Sequence, residues 1–154
     1  SQMQSTVFVG YASLMPGRWG RFENLPIRRD GVALLQEMGV TTVRMGGSFA
    51  KGPMMPWKHW RGPVYLRPSA TNGNWGHSDM SGFGPFEIID VANAMKITPI
   101  VTLNCNISVQ DAADLVEYAW GGPSTNWGKR RIDDGHPQPF NVSWFELGKM
   151  VMLS

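Results

Sequence analysis

Cys105 is the chain's only cysteine, so there is no internal disulfide and no CxxC redox or metal motif. The three histidines, His59, His77 and His136, are far apart and lack ligand spacing, which argues against a zinc or iron centre. Chemistry must then come from a guanidinium, amides, carboxylates and aromatic rings placed where strands end. Arg44 falls at the end of the β-branched run Thr41-Thr42-Val43, just before Gly46-Gly47. Asn104 closes the apolar run Pro99-Ile100-Val101-Thr102-Leu103, and Glu146 lies within Asn141–Leu147. Between them, residues 46–83 hold seven Gly, four Pro and three Trp without a convincing period. Structureless connections of that length are uncommon inside a compact domain and are usually functional. Three Trp and a Tyr are poor material for a slack insertion.

The elements that would position these residues alternate along the chain. Thr6–Tyr11 reads as a first strand, and residues 27–38 as a helix with Val32, Leu35 and Met38 on one face and Gly39 placed to end it. Residues 41–45 form a short second strand. Gly84-Pro85 opens a second helix striped by Ile88, Val91 and Met95. The run 99–104 suits a parallel strand buried on both faces. A third helix spans 109–119, signalled by Ser108 and Asp111 as a capping pair and by Ala112, Leu115, Val116 and Ala119 as its face. A turn-rich loop leads to a last strand at 141–147. This alternation predicts an α/β fold with parallel pairing, four strands and three connecting helices, or half of a β/α barrel.

Composition bounds the reading. With 154 residues the chain suits one domain, whereas a complete (β/α)8 barrel takes roughly 200–250 or more. A net charge of +2 gives no case for nucleic acid as a partner. No apolar run approaches the roughly 18 residues of a membrane span, and no charged region precedes a short apolar stretch at the start. Charged residues are 17%, below the ~25% of ordinary domains, while 18 Gly, 11 Pro and seven Trp point to long, shaped, aromatic loops. Asn106-Ile107-Ser108 and Asn141-Val142-Ser143 are triplets that an exported, glycosylated chain would carry.

Several words of the sequence read together as one pattern. They are Arg29-Asp30, Val43-Arg44-Met45-Gly46-Gly47-Ser48-Phe49, Trp57-Lys58-His59-Trp60-Arg61-Gly62-Pro63 with Leu66-Arg67-Pro68, and Gly82-Phe83-Gly84-Pro85-Phe86-Glu87. Pro99–Asn104, Ala113-Asp114-Leu115-Val116-Glu117-Tyr118, Asp134-Gly135-His136-Pro137 and Asn141–Gly148 complete it. In this order and spacing, over roughly residues 11–150, the chain resembles the α-L-arabinofuranosidases of glycoside hydrolase family 51. The resemblance implies a retaining glycosidase on a (β/α)8 barrel followed by a β-sandwich. Its partner would be an arabinose-containing polysaccharide or oligosaccharide, and it would need no cofactor or metal. Residues 1–154 would be about the first four β/α units of that barrel, without the later strand that carries the nucleophile.

The resemblance also assigns residues. Arg44 matches the family's Arg that braces the sugar subsite, Ser48 a position where many members carry a sugar-binding Asn, and Asn104 a substrate-binding Asn. Trp57 matches a Trp of the subsite wall, where a ring can stack on a sugar. Trp120, Trp127 and Trp144 are expected to pack, and His136 to be structural. The acid/base word, Glu-Leu-Gly-Asn-Glu, reads here Glu146-Leu147-Gly148-Lys149-Met150. Met150 therefore stands at the acid/base position and Lys149 at that of the Asn, and a thioether neither donates nor accepts the catalytic proton. Glu146 shares the strand parity of position 150 but lies roughly 13 Å down the strand, and is expected to be a buried, hydrogen-bonded carboxyl. The likeness stops abruptly after Gly148, as a frameshift or truncated gene would produce. The chain alone is expected to be inactive; the other readings are a non-catalytic carbohydrate-binding protein and a non-functional truncated product.

Overall fold

A computed structural model describes residues 6–10, 12, 14–46, 56–72, 77–80, 82–103 and 107–148. The helix expected first is α1 (Arg29–Glu37), closed by Gly39 at φ +69°, a conformation only glycine adopts without cost. Val32 is fully buried on its inner face, while Met38, expected beside it, is exposed. β1 (Thr42–Met45) follows. After the second helix, α2 (Pro85–Met95), comes the central strand; its N-terminal turn is held by the Glu87 side chain, which accepts from the Gly84 N–H.

The stretch expected to be a long loop contains two 3-10 turns, Trp57–Trp60 and Val64–Leu66, and an antiparallel hairpin. The hairpin pairs β2 (Ser69–Asn72) with β3 (His77–Met80) in the register Ser69 to Met80 and Asn72 to His77. Each of these segments spans only three or four residues, too few to show an apolar period.

The sheet is parallel. β4 (Thr98–Leu103) lies between β1 and β5 (Trp144–Leu147), with Arg44 opposite Ile100, Ile100 opposite Trp144, and Thr102 opposite Glu146. Val101 and Leu103 point to one face, where α2, α3 (Val109–Trp120), α4 (Asn126–Asp133) and the first 3-10 turn close a core of Phe86, Ile89, Leu115, Tyr118, Trp127 and Phe140. A second, smaller cluster joins α1 to α2 through Val32, Val91 and Met95. β4 is thus buried on its helix face, while on the other face Ile100 is half-buried and Thr102 is buried.

Two expectations fail here. Thr6–Gly10 forms no strand, and Tyr11 lies outside the described residues. Val7, Phe8 and Val9 are exposed and meet no neighbouring strand. Alternating β-branched residues confer propensity, but a strand exists only where a partner's ladder receives it. The expected loop before β5 contains α4, an eight-residue helix. Its Thr125 hydroxyl caps the N-terminus by accepting from the Gly128 N–H at 3.1 Å. Gly128 rests against the carbonyls of Gly121 and Gly122, and a Cβ there would come within 2.2 Å of the Gly122 oxygen. No helix among the described residues is long and apolar enough to cross a membrane.

Candidate functional site

Arg44 leaves the penultimate position of β1 on the sheet face opposite the helices. Side chains alternate along a strand, so Arg44, Ile100, Thr102, Trp144 and Glu146 share that face. Arg44 reaches diagonally across β4, and its Nε donates to Oε2 of Glu146. The same oxygen accepts the Thr102 hydroxyl at 2.6 Å. The Arg44 and Thr102 hydrogen bonds hold the Glu146 carboxyl below its usual range, and Glu146 raises the Arg44 guanidinium in turn. Both are half-exposed, at 46% and 39% of their side-chain surface. Glu146 is therefore hydrogen-bonded as expected but only partly buried, whereas Thr102 beside it is buried. Gly46, one position past β1, sits against Thr102, and a Cβ there would fall 2.0 Å from the Thr102 hydroxyl. Only glycine lets β1 end this close to the polar trio.

Trp57 is not an open wall. It is only 7% exposed, with its ring 5.1 Å from Trp127, 5.4 Å from Tyr118 and 6.4 Å from Phe86. Its Nε1 donates to the Asp111 carbonyl at 3.2 Å. The neighbouring Lys58 reaches Asp111 at 2.6 Å and Asp114 at 2.9 Å, at the start of α3. Trp57 is thus the pin that fastens the long connection to α3, a role the sequence did not distinguish from sugar stacking. Trp60 is buried as well. Of the rings expected to pack, Trp127 does, whereas Trp144 is 63% exposed. Ser48, Asn104, Lys149 and Met150 lie outside the described residues.

Sequence reasoning passed over the ion-pair network beneath this connection. Arg61 grips Asp134 with Nε at 2.6 Å and Nη2 at 3.1 Å, and the Tyr118 hydroxyl donates to the same carboxylate at 3.0 Å. Burial, and then the Asp134 charge, push the Tyr118 phenol well above its ordinary range. Arg67 meets Glu87 and donates to the Gly62 and Gly82 carbonyls. Arg131, almost wholly buried, donates to the carbonyls of Tyr118, Gly121 and His136. The signal available was the set of arginines spaced among glycines in a chain of low charge. His136 stacks on Phe140 at 3.8 Å between ring centres and approaches Asp90 of α2 at 3.3 Å, a structural position on the side where β5 begins. Among the described residues no group of three or more His, Cys, Asp or Glu could hold a metal ion.

Comparison with known proteins gives a consistent set. The profile described as "Alpha-L-arabinofuranosidase 1 domain" matches residues 34–153. An extracellular exo-alpha-L-arabinofuranosidase of Streptomyces chartreusis is 34% identical over 110 residues, covering 60% of this chain and 13% of that protein. Alpha-L-arabinofuranosidase 2 of Arabidopsis thaliana is 25% identical over 163 residues, covering 94% of this chain and 24% of that protein. Among solved structures, a family 51 enzyme from Bifidobacterium longum superposes with a TM-score of 0.73 at 26% identity, over 80% of this chain and 24% of that one. The arabinose complex of the Thermotoga maritima enzyme gives 0.71 at 25%, over 80% and 26%. The chain spans about a quarter or less of the length of these relatives.

Proposed function

The chain belongs to the α-L-arabinofuranosidases of glycoside hydrolase family 51, and on that premise we propose that residues 1–154 form the early β/α units of a (β/α)8 glycosidase barrel which engages arabinofuranosyl groups without cleaving them. Strand order supports the barrel. β1, β4 and β5 lie side by side in the order in which the chain reaches them, all parallel, with the helices of the main core on one face. A barrel is built that way, whereas a doubly wound sheet reverses its order and carries helices on both faces.

The observation that carries the sugar-facing reading is Arg44, held by Glu146, which Thr102 anchors, on the face opposite the helices near the C-terminal end of its strand. That is the end where barrel enzymes gather their substrate contacts. Arg44, Ser48 and Asn104 are the proposed sugar contacts, and the arabinose-containing glycan is the proposed ligand. Trp57 leaves this set, since its ring is enclosed by other rings.

Hydrolysis is a different matter. Retention needs two carboxyl groups about 5–5.5 Å apart, one switching between acid and base and the other forming the glycosyl-enzyme bond. Met150 occupies the acid/base position, and the Glu146 carboxyl is occupied by Arg44 and Thr102. A depressed carboxyl is also the wrong one to serve as a general acid at neutral pH. The isolated chain will release no nitrophenol from an aryl α-L-arabinofuranoside beyond a heat-killed control. Turnover above that control overturns the non-hydrolytic reading.

A further inference from the structure

The imidazole of His136 stands between two acceptors. Its Nδ1 lies 2.5 Å from the Gln138 carbonyl oxygen, and its Nε2 lies 3.3 Å from Oδ1 of Asp90 on α2. A neutral imidazole has one N–H and one lone pair, so it satisfies one of these acceptors and turns a lone pair on the other. Only the imidazolium donates to both. The ring also lies on the face of Phe140, with 3.8 Å between centres and 21° between planes, where a cationic ring is favoured electrostatically.

We propose that the native protein holds His136 as the imidazolium, and that its proton latches the segment entering β5 onto α2. This latch does not depend on the sugar-binding reading. α2 and β5 are not neighbours in the chain, since β4, α3 and α4 come between them. The His136–Asp90 contact joins them at the end where β5 begins. A second side-chain contact, Asn141 Nδ2 to Asn93 Oδ1 at 3.2 Å, joins the same two elements without charge. The rest of the segment is fastened elsewhere: the Phe140 N–H donates to the Ala119 carbonyl at 2.9 Å, and Phe140 and Val142 are buried in the main core.

The groups facing the ring set the balance. Asp90 favours the cation from α2, and the Gln138 carbonyl favours it from the segment itself. Partial burial opposes it, as does Arg131 of α4, whose Nε donates to the His136 carbonyl at 3.1 Å. Tyr118 of α3 lies beyond Phe140, and its hydroxyl is turned to Asp134, which Arg61 pairs. The Asp90 hydrogen bond prevails, and the imidazole is raised above its ordinary value. When the proton leaves, the shorter contact keeps the remaining N–H. Nδ1 stays on the Gln138 carbonyl, and Nε2 turns a lone pair to the Asp90 carboxylate. The tie to α2 opens while the turn at 136–138 persists. β5 bears Glu146, so the proton on His136 steadies the strand that carries this carboxylate.

Hydrogen exchange of the full 15N-labelled chain between about pH 5 and 8 tests the latch, with the His136 ring titrated by NMR in the same samples. Protection factors are compared, because they divide out the pH dependence of chemical exchange. Those of the Phe140 and β5 amides are expected to fall about fivefold as pH rises through the His136 titration, as loss of one partly exposed charge-assisted hydrogen bond predicts. In Asp90→Asn the same factors should be lower below the titration and flat across it. The α1 amides, which the latch does not touch, should follow the titration in neither protein. Asp90 is 37% exposed, so the variant is expected to keep the parent circular dichroism, and the parent series carries the test without it. Protection that stays flat through the titration in the parent, or that falls equally in α1, overturns the latch. So does a His136 titration no higher than that of the same residue in the urea-unfolded chain.

Discussion

Replacing Trp57 separates a packing residue from a sugar-facing one. Its side chain is 93% removed from solvent and touches the rings of Phe86, Tyr118 and Trp127. A buried tryptophan removes about 200–250 Å² from water, worth roughly 5–6 kcal/mol at ~25 cal/mol per Å². Extended-chain references overstate that figure, and core Trp→Ala changes typically cost about 3–5 kcal/mol. The lost hydrogen bond to the Asp111 carbonyl is worth about 1 kcal/mol and belongs within that range. Trp57→Ala should therefore destabilise by about 3–5 kcal/mol, a large share of the ~5–15 kcal/mol available to a domain. Trp57→Phe, which keeps a ring but loses the N–H and part of the volume, should cost about half as much. Urea unfolding followed by circular dichroism measures this as a fall in midpoint at constant slope. A loss below about 1 kcal/mol for Trp57→Ala would mean that the ring is not in the core, and the connection's attachment to α3 would need another explanation.

Two further expectations concern the network around that connection. Asp134→Ala leaves Arg61 without its bidentate partner and the Tyr118 hydroxyl without an acceptor. A cost of about 2–4 kcal/mol should follow, and an unfolding midpoint equal to the parent's refutes it. Asp90 first of all raises the His136 imidazole above its ordinary value, so the folded state binds the proton more tightly than the unfolded one. The stabilisation is then fully present below the unfolded histidine value, near ~6.5, and is lost as pH rises through the higher folded one. Asp90→Asn should bring the His136 titration, followed by NMR, back toward the ordinary value, and an unaltered titration removes Asp90 as the cause.

Much of the scaffold was legible because its signals are local. The Ser108–Asp111 cap is made as the spacing predicts, with the Asp111 N–H donating to the Ser108 hydroxyl at 3.0 Å. Gly84-Pro85 opens α2, and the apolar run before Asn104 is the central parallel strand. What escaped depends on distant partners. α4 is stabilised by contacts of Trp127, Gly128 and Arg131 with the end of α3, and its own residues are too polar and too few to show a helical stripe. The first expected strand has the right residue types and no ladder to join. Trp57 and Trp144 make the point most sharply. One was read as a ligand platform and is enclosed, the other was read as packing and is exposed, since a residue type alone does not say which side of it water occupies.

The open face ties these differences together. In a parallel sheet with helices on one side, burial of Val101 and Leu103 forces the odd-and-even alternation of the strands to place Arg44, Thr102 and Glu146 on the other. A one-residue slip in β1 or β5 would turn Arg44 or Glu146 toward the apolar helices, at the cost of an uncompensated charge. The helix side thereby fixes the chemistry of the opposite side. Arg44 is held by Glu146, which Thr102 anchors in turn, within the described residues themselves. Its placement does not need a catalytic glutamate at position 150. The anchoring of this guanidinium–carboxylate pair and hydrolysis are physically independent, since the first is secured by the described residues alone.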